Sequence, residues 1–262
     1  MPPSNVPGER AAPTQPFPTR PAAFEYQGAT LDDLVDFTPE IRAMAVKAVQ
    51  GFTLGPLFTP PTTEGTIQRP GTNGGGNWSG AAVDPDTGML YVPSRQGWSV
   101  NRIVPPEPEL KSNLRYVQRP RNSPPMGGVP LFKPPYSRMT AIDMNSGTHA
   151  WMIPTGNGDA VRNLPLLAPL KLPPVGGNVT LSGPLLTKTL LIYALTAGGT
   201  NDGPRLVAYD KRSGKELGST DLPGFAIGTP MTYMVDGKQY IALTVTPQQQ
   251  GALPELVALA LP

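Results

Sequence analysis

The stretch Gly228–Val245, GTPMTYMVDGKQYIALTV, decides the fold of this chain. Two runs rich in β-branched and aromatic residues, MTYMV and KQYIALTV, flank Asp236-Gly237. An Asp-Gly pair in that setting is a strong hairpin signal, because both central residues of a type I′ turn need φ > 0. Gly228-Thr229-Pro230 can turn the chain just ahead of the first run. The stretch predicts a β-hairpin.

Upstream of it, one pattern occurs three times: AAVDPDTGMLYV at 81–92, TAIDMNSGTHAWMIPTG at 140–156 and LVAYDKRSGKELGSTDLPG at 206–224. Each copy has a strand ending in Ala, an apolar residue and Asp, then two residues, Ser or Thr, and Gly, then another strand. The Asp can accept from the backbone two residues on, and the Gly can take the positive φ that closes the turn. Asp84, Asp143 and Asp210 are therefore turn residues rather than catalytic ones. A strand-turn-strand unit cannot bury its own apolar face and must stack on copies of itself, which is the logic of propeller blades. GPLLTKTLLIYALTAGG at 183–199 adds a buried strand and its exit turn, and ELVALALP closes the chain.

Composition agrees with short strands joined by stiff connections. The 262 residues include 35 prolines and 29 glycines, and long Pro-rich insertions run from about 104 to 136 and about 154 to 178. The formal net charge is +2, with no clustered Lys/Arg face, so nucleic acid is not an expected partner. There are no cysteines, hence neither a disulfide framework nor a thiolate metal site. MPPSNVPGER reads as neither signal peptide nor anchor, and no run of about 18 apolar residues occurs.

Residues 1–64 read as a Pro-rich segment with one inserted helix, and residues 65–262 as the propeller blades. Thr38-Pro39-Glu40 starts the helix: Thr38 as N-cap, Pro39 where its absent N–H costs nothing, and Glu40 against the helix dipole. Ile41, Met44, Ala45, Ala48 and Val49 fall on one face, and Gly51 ends it. A helix packed outside the sheets and one that contacts a partner or membrane are both open. The fold expected is all-β: a partial β-propeller of about three four-stranded blades, with one inserted helix near 39–50 and long Pro-rich loops.

These stretches together resemble the membrane-type quinoprotein glucose dehydrogenases, which oxidise sugars and polyols with pyrroloquinoline quinone (PQQ). The resemblance runs through PTQPFPTRP at 13–21, DFTPEIR at 36–42, LGPLFTPP at 54–61, GTIQRPG at 65–71, GGGNWSGAAVDPDTG at 74–88 and LVALALP at the C-terminus. It covers nearly the whole chain, and only the C-terminal half of the family's protein. The middle repeat carries the family's tryptophan-docking pattern at Ala141, Asp143, Gly147, Trp151 and Gly156, so Trp151 is expected to pack on the next blade. Gly218 in the third copy and Val92 in the first stand where that tryptophan belongs, which weakens or removes their docking contacts.

The resemblance also implies a site. In Gly74-Gly75-Gly76-Asn77-Trp78-Ser79-Gly80, glycines allow close backbone approach, the Asn amide can bond a quinone carbonyl and the indole adds a stacking surface. A turn opening a strand, with a buried Trp, is the structural alternative. The family's corresponding position lies beside PQQ at the propeller axis, so Asn77 is implied as a cofactor contact and Trp78 as its structural neighbour. Asp202 matches an Asp near the family's active site, though Asn-Asp-Gly is also an ordinary turn. The family's last loop carries a substrate-binding histidine; here TPQQQG at 246–251 has none, and Gln248, Gln249 and Gln250 can hydrogen-bond a polyol instead, which puts glucose itself in doubt. The sole histidine, His149, reads as a solvated strand residue.

What the resemblance implies for the whole is a PQQ-dependent dehydrogenase that passes electrons to a ubiquinone-type acceptor, periplasmic and membrane-associated. Its divalent cation (Ca or Mg), general-base Asp and quinone-bonding Lys fall upstream of Met1 in the family. The chain is then expected to need the N-terminal half of the propeller as a partner and to be inactive alone. The alternatives are a noncatalytic repeat scaffold or a truncated gene remnant.

Overall fold

The computed structural model describes residues 2–77, 79–178, 181–249 and 251–260; Trp78 and Gln250 lie outside the described residues. The chain divides into two compact units, one formed by residues 1–19, 25–75 and 96–134, the other by 20–24, 76–95 and 135–262. The first unit thus takes in segments from both sides of residue 64.

In the first unit, Pro39–Ala48 is helical. The Thr38 hydroxyl accepts from the Ile41 N–H at 3.3 Å, as its N-cap position requires. Ile41, Ala45 and Val49 form the buried face, whereas Met44, expected on it, is exposed. Residues 117–120, inside a stretch expected to be a Pro-rich connection, are a strand instead. Thr66–Gln68, Ser99–Val104 and Val117–Pro120 form a three-stranded antiparallel sheet. Beside it the Arg69 guanidinium lies between the Tyr26 and Phe132 rings, 4.5 and 4.6 Å from their centroids, and pairs with Asp33 at 2.7 Å. A buried cation is tolerated there because its charge and its N–H groups are both matched.

The second unit is built of three four-stranded sheets. Sheet I orders Ala82–Asp84, Met89–Arg95, Ser137–Asp143 and Thr148–Pro154, all antiparallel. Sheet II orders Leu185–Leu186, Leu190–Leu195, Arg205–Asp210 and Glu216–Asp221, also antiparallel. Sheet III orders Leu181–Ser182, Gly224–Val235, Lys238–Pro247 and Glu255–Ala260, with only its first pair parallel. This is the expected all-β architecture of three four-stranded blades.

The deciding hairpin forms as read. Val235 pairs with Lys238 across Asp236 (φ 48°) and Gly237 (φ 75°), both left-handed as a type I′ turn demands. Gly228-Thr229-Pro230 does not turn the chain. It makes a bulge within the twelve-residue strand Gly224–Val235, where the register shifts between Ile227 and Met231.

The three repeat turns share one geometry. The Asp84, Asp143 and Asp210 carboxylates accept from the N–H two residues on at 3.2, 2.8 and 2.9 Å. Gly88, Gly147 and Gly214 have φ of 70°, 69° and 72°. Their N–H groups return to the carbonyls of those aspartates at 2.9, 2.8 and 2.8 Å. What differs is where the turns fall. The second and third join the outer two strands of sheets I and II, but the first joins the inner two strands of sheet I, beside the second copy. Asn145 donates to the Thr87 carbonyl at 2.9 Å, tying those two turns together. Val92 is therefore an inner-strand residue, paired with Thr140, and not a lost docking position.

The core follows from period-two alternation along LLIYAL. Leu191, Tyr193 and Leu195 pack with Tyr91, Met139 and Ala141 of sheet I. Ile192 and Ala194 pack with Leu222, Ala226, Leu243 and Val245 towards sheet III. Sheet II is covered on both faces, which is why its second strand is apolar at every position. Each fully buried Leu or Val there contributes roughly 1.5–3 kcal/mol.

Sheets I and II are also pinned by specific contacts. The Trp151 indole N–H donates to the Lys211 carbonyl at 3.3 Å, and its ring covers Gly214, where an added Cβ would lie 2.9 Å from a ring carbon. Lys211 Nζ pairs with the buried Asp84 carboxylate at 2.6 Å. That pair, together with hydrogen bonds within the turn, holds Asp84 below the usual carboxylate range. Asn178 adds a polar staple: its N–H donates to Ser137 Oγ at 2.8 Å, while its side chain donates to the Ala194 carbonyl at 3.1 Å and accepts from Thr196 N–H at 2.9 Å.

Candidate functional site

The candidate site is built by backbone close approach. In the first unit Gly71 donates to the Gly97 carbonyl and Gly74 to the Gly71 carbonyl, both at 2.9 Å. A Cβ on Gly97 would lie 2.7 Å from the Gly74 carbonyl oxygen, so Gly97 admits no side chain where the glycine-rich loop passes it. The Glu25 side chain packs against Gly75 at a distance only glycine permits.

In the second unit the loop continues into sheet I. Gly76 lies under the Phe24 ring, and Gly80 (φ 84°) donates to the Asn77 carbonyl at 3.0 Å. The Ser79 carbonyl accepts from Thr229 Oγ1 at 3.3 Å. Gly183 fits between them, because a Cβ there would run into both atoms, and its N–H donates to the Gly228 carbonyl at 3.1 Å. Ser79 precedes sheet I, Gly183 leads into sheet II and Thr229 lies in the bulge of sheet III. The starts of three sheets thus converge at one place, with the Asn77 side chain exposed two residues from it.

The other sequence-predicted residues leave the sheets at the same end. The second strand of sheet II and the strand Lys238–Pro247 of sheet III both run antiparallel to neighbours that start there. Their exits carry Asp202 in one case and Gln248 and Gln249 in the other. Asp202 has φ 58°, and its carboxylate accepts from the Gly198 N–H at 2.9 Å. The same loop is tied down by Asp221, which accepts from the Thr200 N–H at 3.1 Å and from its hydroxyl. Those hydrogen bonds hold Asp221 below the usual carboxylate range. Asp202 thus does the work of an Asn-Asp-Gly turn. Gln248 and Gln249 are exposed beyond Pro247, and Gln249 accepts from the Ala252 N–H at 3.1 Å.

Burial pushes the Tyr193 and Tyr209 hydroxyls far above their ordinary value, so both stay protonated. His149 is half-buried rather than solvated, and its ring Nε2 shares a 2.9 Å hydrogen bond with the Ala22 carbonyl.

The residues present fit one contact to PQQ: the exposed Asn77 amide can donate to a quinone oxygen, while the glycines before it are taken up by Gly97, Glu25 and Phe24. They do not fit the divalent cation, because among the described residues no three His, Asp or Glu side chains come together. Among the described residues no helix is long and apolar enough to cross a membrane. The residues that sequence reasoning passed over are Gly183 and Thr229, which close the convergence point. A glycine preceding a strand and a threonine in a bulge carry no signal of their own.

Comparison with known proteins agrees with this architecture. The sequence profile described as glucose/ethanol/alcohol dehydrogenase, beta-propeller domain (PQQ) matches residues 1–241. The quinate/shikimate dehydrogenase (quinone) of Acinetobacter baylyi is 29% identical, over 95% of this chain and 32% of that protein. The glycerol dehydrogenase large subunit of Gluconobacter oxydans is 27% identical over 99% of this chain and 38% of its own length. The quinoprotein glucose dehydrogenase of the same organism is 28% identical over 100% of this chain and 35% of its own. The chain spans about a third of the length of these relatives. With a family profile covering sheets I and II, the repeat turns that build them and the first half of sheet III, this chain belongs to the PQQ-dependent glucose/ethanol/alcohol dehydrogenase family and carries sheets of its β-propeller domain.

Proposed function

We propose that this chain forms one wall of the cofactor pocket in a PQQ-dependent dehydrogenase that oxidises a sugar or polyol hydroxyl and delivers the electrons to a ubiquinone-type acceptor. The observation that carries the reading is the exposed Asn77 beside the point where three sheets begin. The relatives whose names specify quinate, shikimate, glycerol and glucose support a polyhydroxylated substrate. The chemistry PQQ supplies when bound is two-electron oxidation of a CH–OH group.

Within that reading the chain's residues bind and orient. Asn77 Nδ2–H donates to a quinone oxygen, and Trp78 belongs to the same wall. Asp202 holds its loop in the shape that faces the pocket, with Gly198 as its partner. Gln248, Gln249 and Gln250 offer amide donors and acceptors to substrate hydroxyls. Amides do not titrate, so they position a substrate without moving its proton. The groups that take the proton and hold the cation come from the family's remaining sheets, in a periplasmic, membrane-associated assembly.

The test is titration of the chain with PQQ in the presence of Ca²⁺, read by quenching of protein fluorescence. Saturable binding is expected, weakened roughly tenfold by Asn77→Ala, the size of one hydrogen bond to a buried polar group. Unchanged binding in that variant removes Asn77 from the site. Reduction of a dye with glycerol, quinate or glucose by the chain alone contradicts its dependence on the remaining sheets. A second reading, a noncatalytic repeat scaffold, is favoured by the last loop, which offers glutamines where the family carries its substrate-binding histidine; absence of any PQQ binding decides for it.

A further inference from the structure

Sheets I and II carry the same register at their outer strands, but only one carries the docking indole. In sheet I, Ala141 pairs with Trp151, and the register shifts immediately after Ala141. In sheet II, Ala208 pairs with Gly218, and the register shifts immediately after Ala208. Gly218 therefore occupies the structural position of Trp151. Its φ is not left-handed, and a Cβ added there meets nothing within 4 Å, so no backbone requirement explains the glycine.

What the indole would fill is open instead. A groove of about 560 Å³ runs between sheets II and III, with Gly218 in its wall. Ile192, Leu206, Ile241 and Leu259 supply apolar walls, and Thr220 and Gln239 supply polar groups. That size and lining, mostly aliphatic with a few hydrogen-bonding groups, suit a small molecule. The equivalent residue of sheet I defines its shape, because a planar bicyclic ring seated at this register packs on the neighbouring structure there, its N–H reaching a carbonyl.

We propose that the groove between sheets II and III is a binding site for a planar aromatic small molecule of indole size or slightly larger, carrying one hydrogen-bonding substituent. The aliphatic walls stack on the ring, and Gln239 or Thr220 meets the polar substituent. The site is separate from the Asn77 loop and does not depend on PQQ binding.

Calorimetric titration of the full chain with indole and with 2-naphthol, against decanoate as a flexible apolar control, tests the site. Saturable binding of both aromatics, with a rise in melting temperature, is expected, and none for decanoate. Gly218→Trp supplies the ring covalently and should weaken 2-naphthol binding at least tenfold while raising the melting temperature of the ligand-free protein. Gly218→Leu is the smaller plug should the first variant not fold, with at least a threefold loss. No saturable aromatic binding, decanoate binding as well as the aromatics, or affinity unchanged in the plugged variant would each overturn the proposal.

Discussion

Sheets I and II meet through an indole laid over a glycine, a buried ion pair and Asn178, whose backbone N–H reaches Ser137 and whose side chain reaches the Ala194 carbonyl, whereas sheets II and III share an aliphatic cluster beside an open groove. Sheets I and II carry the same Asp-x-x-Ser-Gly turn and the same register at their outer strands. At the shared register position Trp151 stands in sheet I and Gly218 in sheet II. The outer strand tells the same story: 148–154 alternates between exposed and part-buried, while every residue of 216–221 is exposed. A propeller repeat therefore specifies its own sheet, and the tryptophan specifies the joint to the next.

The largest break in this comparison is Trp151→Ala. Removing an aromatic side chain from a packed junction should lower the stability of the chain by about 3–5 kcal/mol in urea unfolding, with no such cost available at the other junction. A loss under about 1 kcal/mol would mean the indole does not join the sheets.

Next in size is Gly214→Ala, which places a methyl 2.9 Å from the Trp151 ring at a left-handed φ of 72°. Overpacking and backbone strain should together cost about 1–3 kcal/mol, read by the same unfolding curves. Combined with Trp151→Ala the packing part should vanish, so the double variant should be less than additive.

A third probe uses acid. The folded Asp84 value is depressed by Lys211, so its contribution is complete above the unfolded value near about pH 4 and is lost as pH falls through the lower folded value. Asp84→Asn should flatten the acid limb of the stability profile below about pH 4. Asp210→Asn removes a carboxylate lowered mainly by the Ser213 hydroxyl, with the Arg212 charge the last of its causes, and should flatten it less. Equal effects would remove the ion pair from the junction.

The smallest expected effect sharpens the contrast. Gly218→Ala meets no atom within 4 Å and should change stability by no more than about 0.5 kcal/mol, in the stabilising direction because alanine restricts the unfolded chain. A loss above about 1 kcal/mol would mean that the groove closes on this glycine.

How far the sequence could be read depends on whether the signal is local. The Asp236-Gly237 turn was legible because its requirement, two residues with φ > 0, concerns those residues alone. The docking of Trp151 was legible because the repeat fixes its spacing from Asp143. The Val92 assignment failed for the same reason: the turn pattern reports turn geometry, and the same geometry joins inner strands in one copy and outer strands in another. The strand Val117–Pro120 went unread because its partner, Ser99–Val104, lies across a Pro-rich stretch with no alternation. At the site, Asn77 stands out in the sequence only through the family resemblance, whereas Gly183 and Thr229 acquire their place only where three sheets converge.

By itself, the sequence determined the turns and the apolar run of sheet II's second strand, and marked Gly218 and Val92 alike as lacking an indole, since each is set by backbone angles or by the spacing along a single strand. Only the tertiary structure decided which strands each turn joins, which glycines close the convergence point beside Asn77, and that the absent ring leaves an open groove. Those are properties of segments far apart in the chain, and close packing between them is written in no one of their sequences.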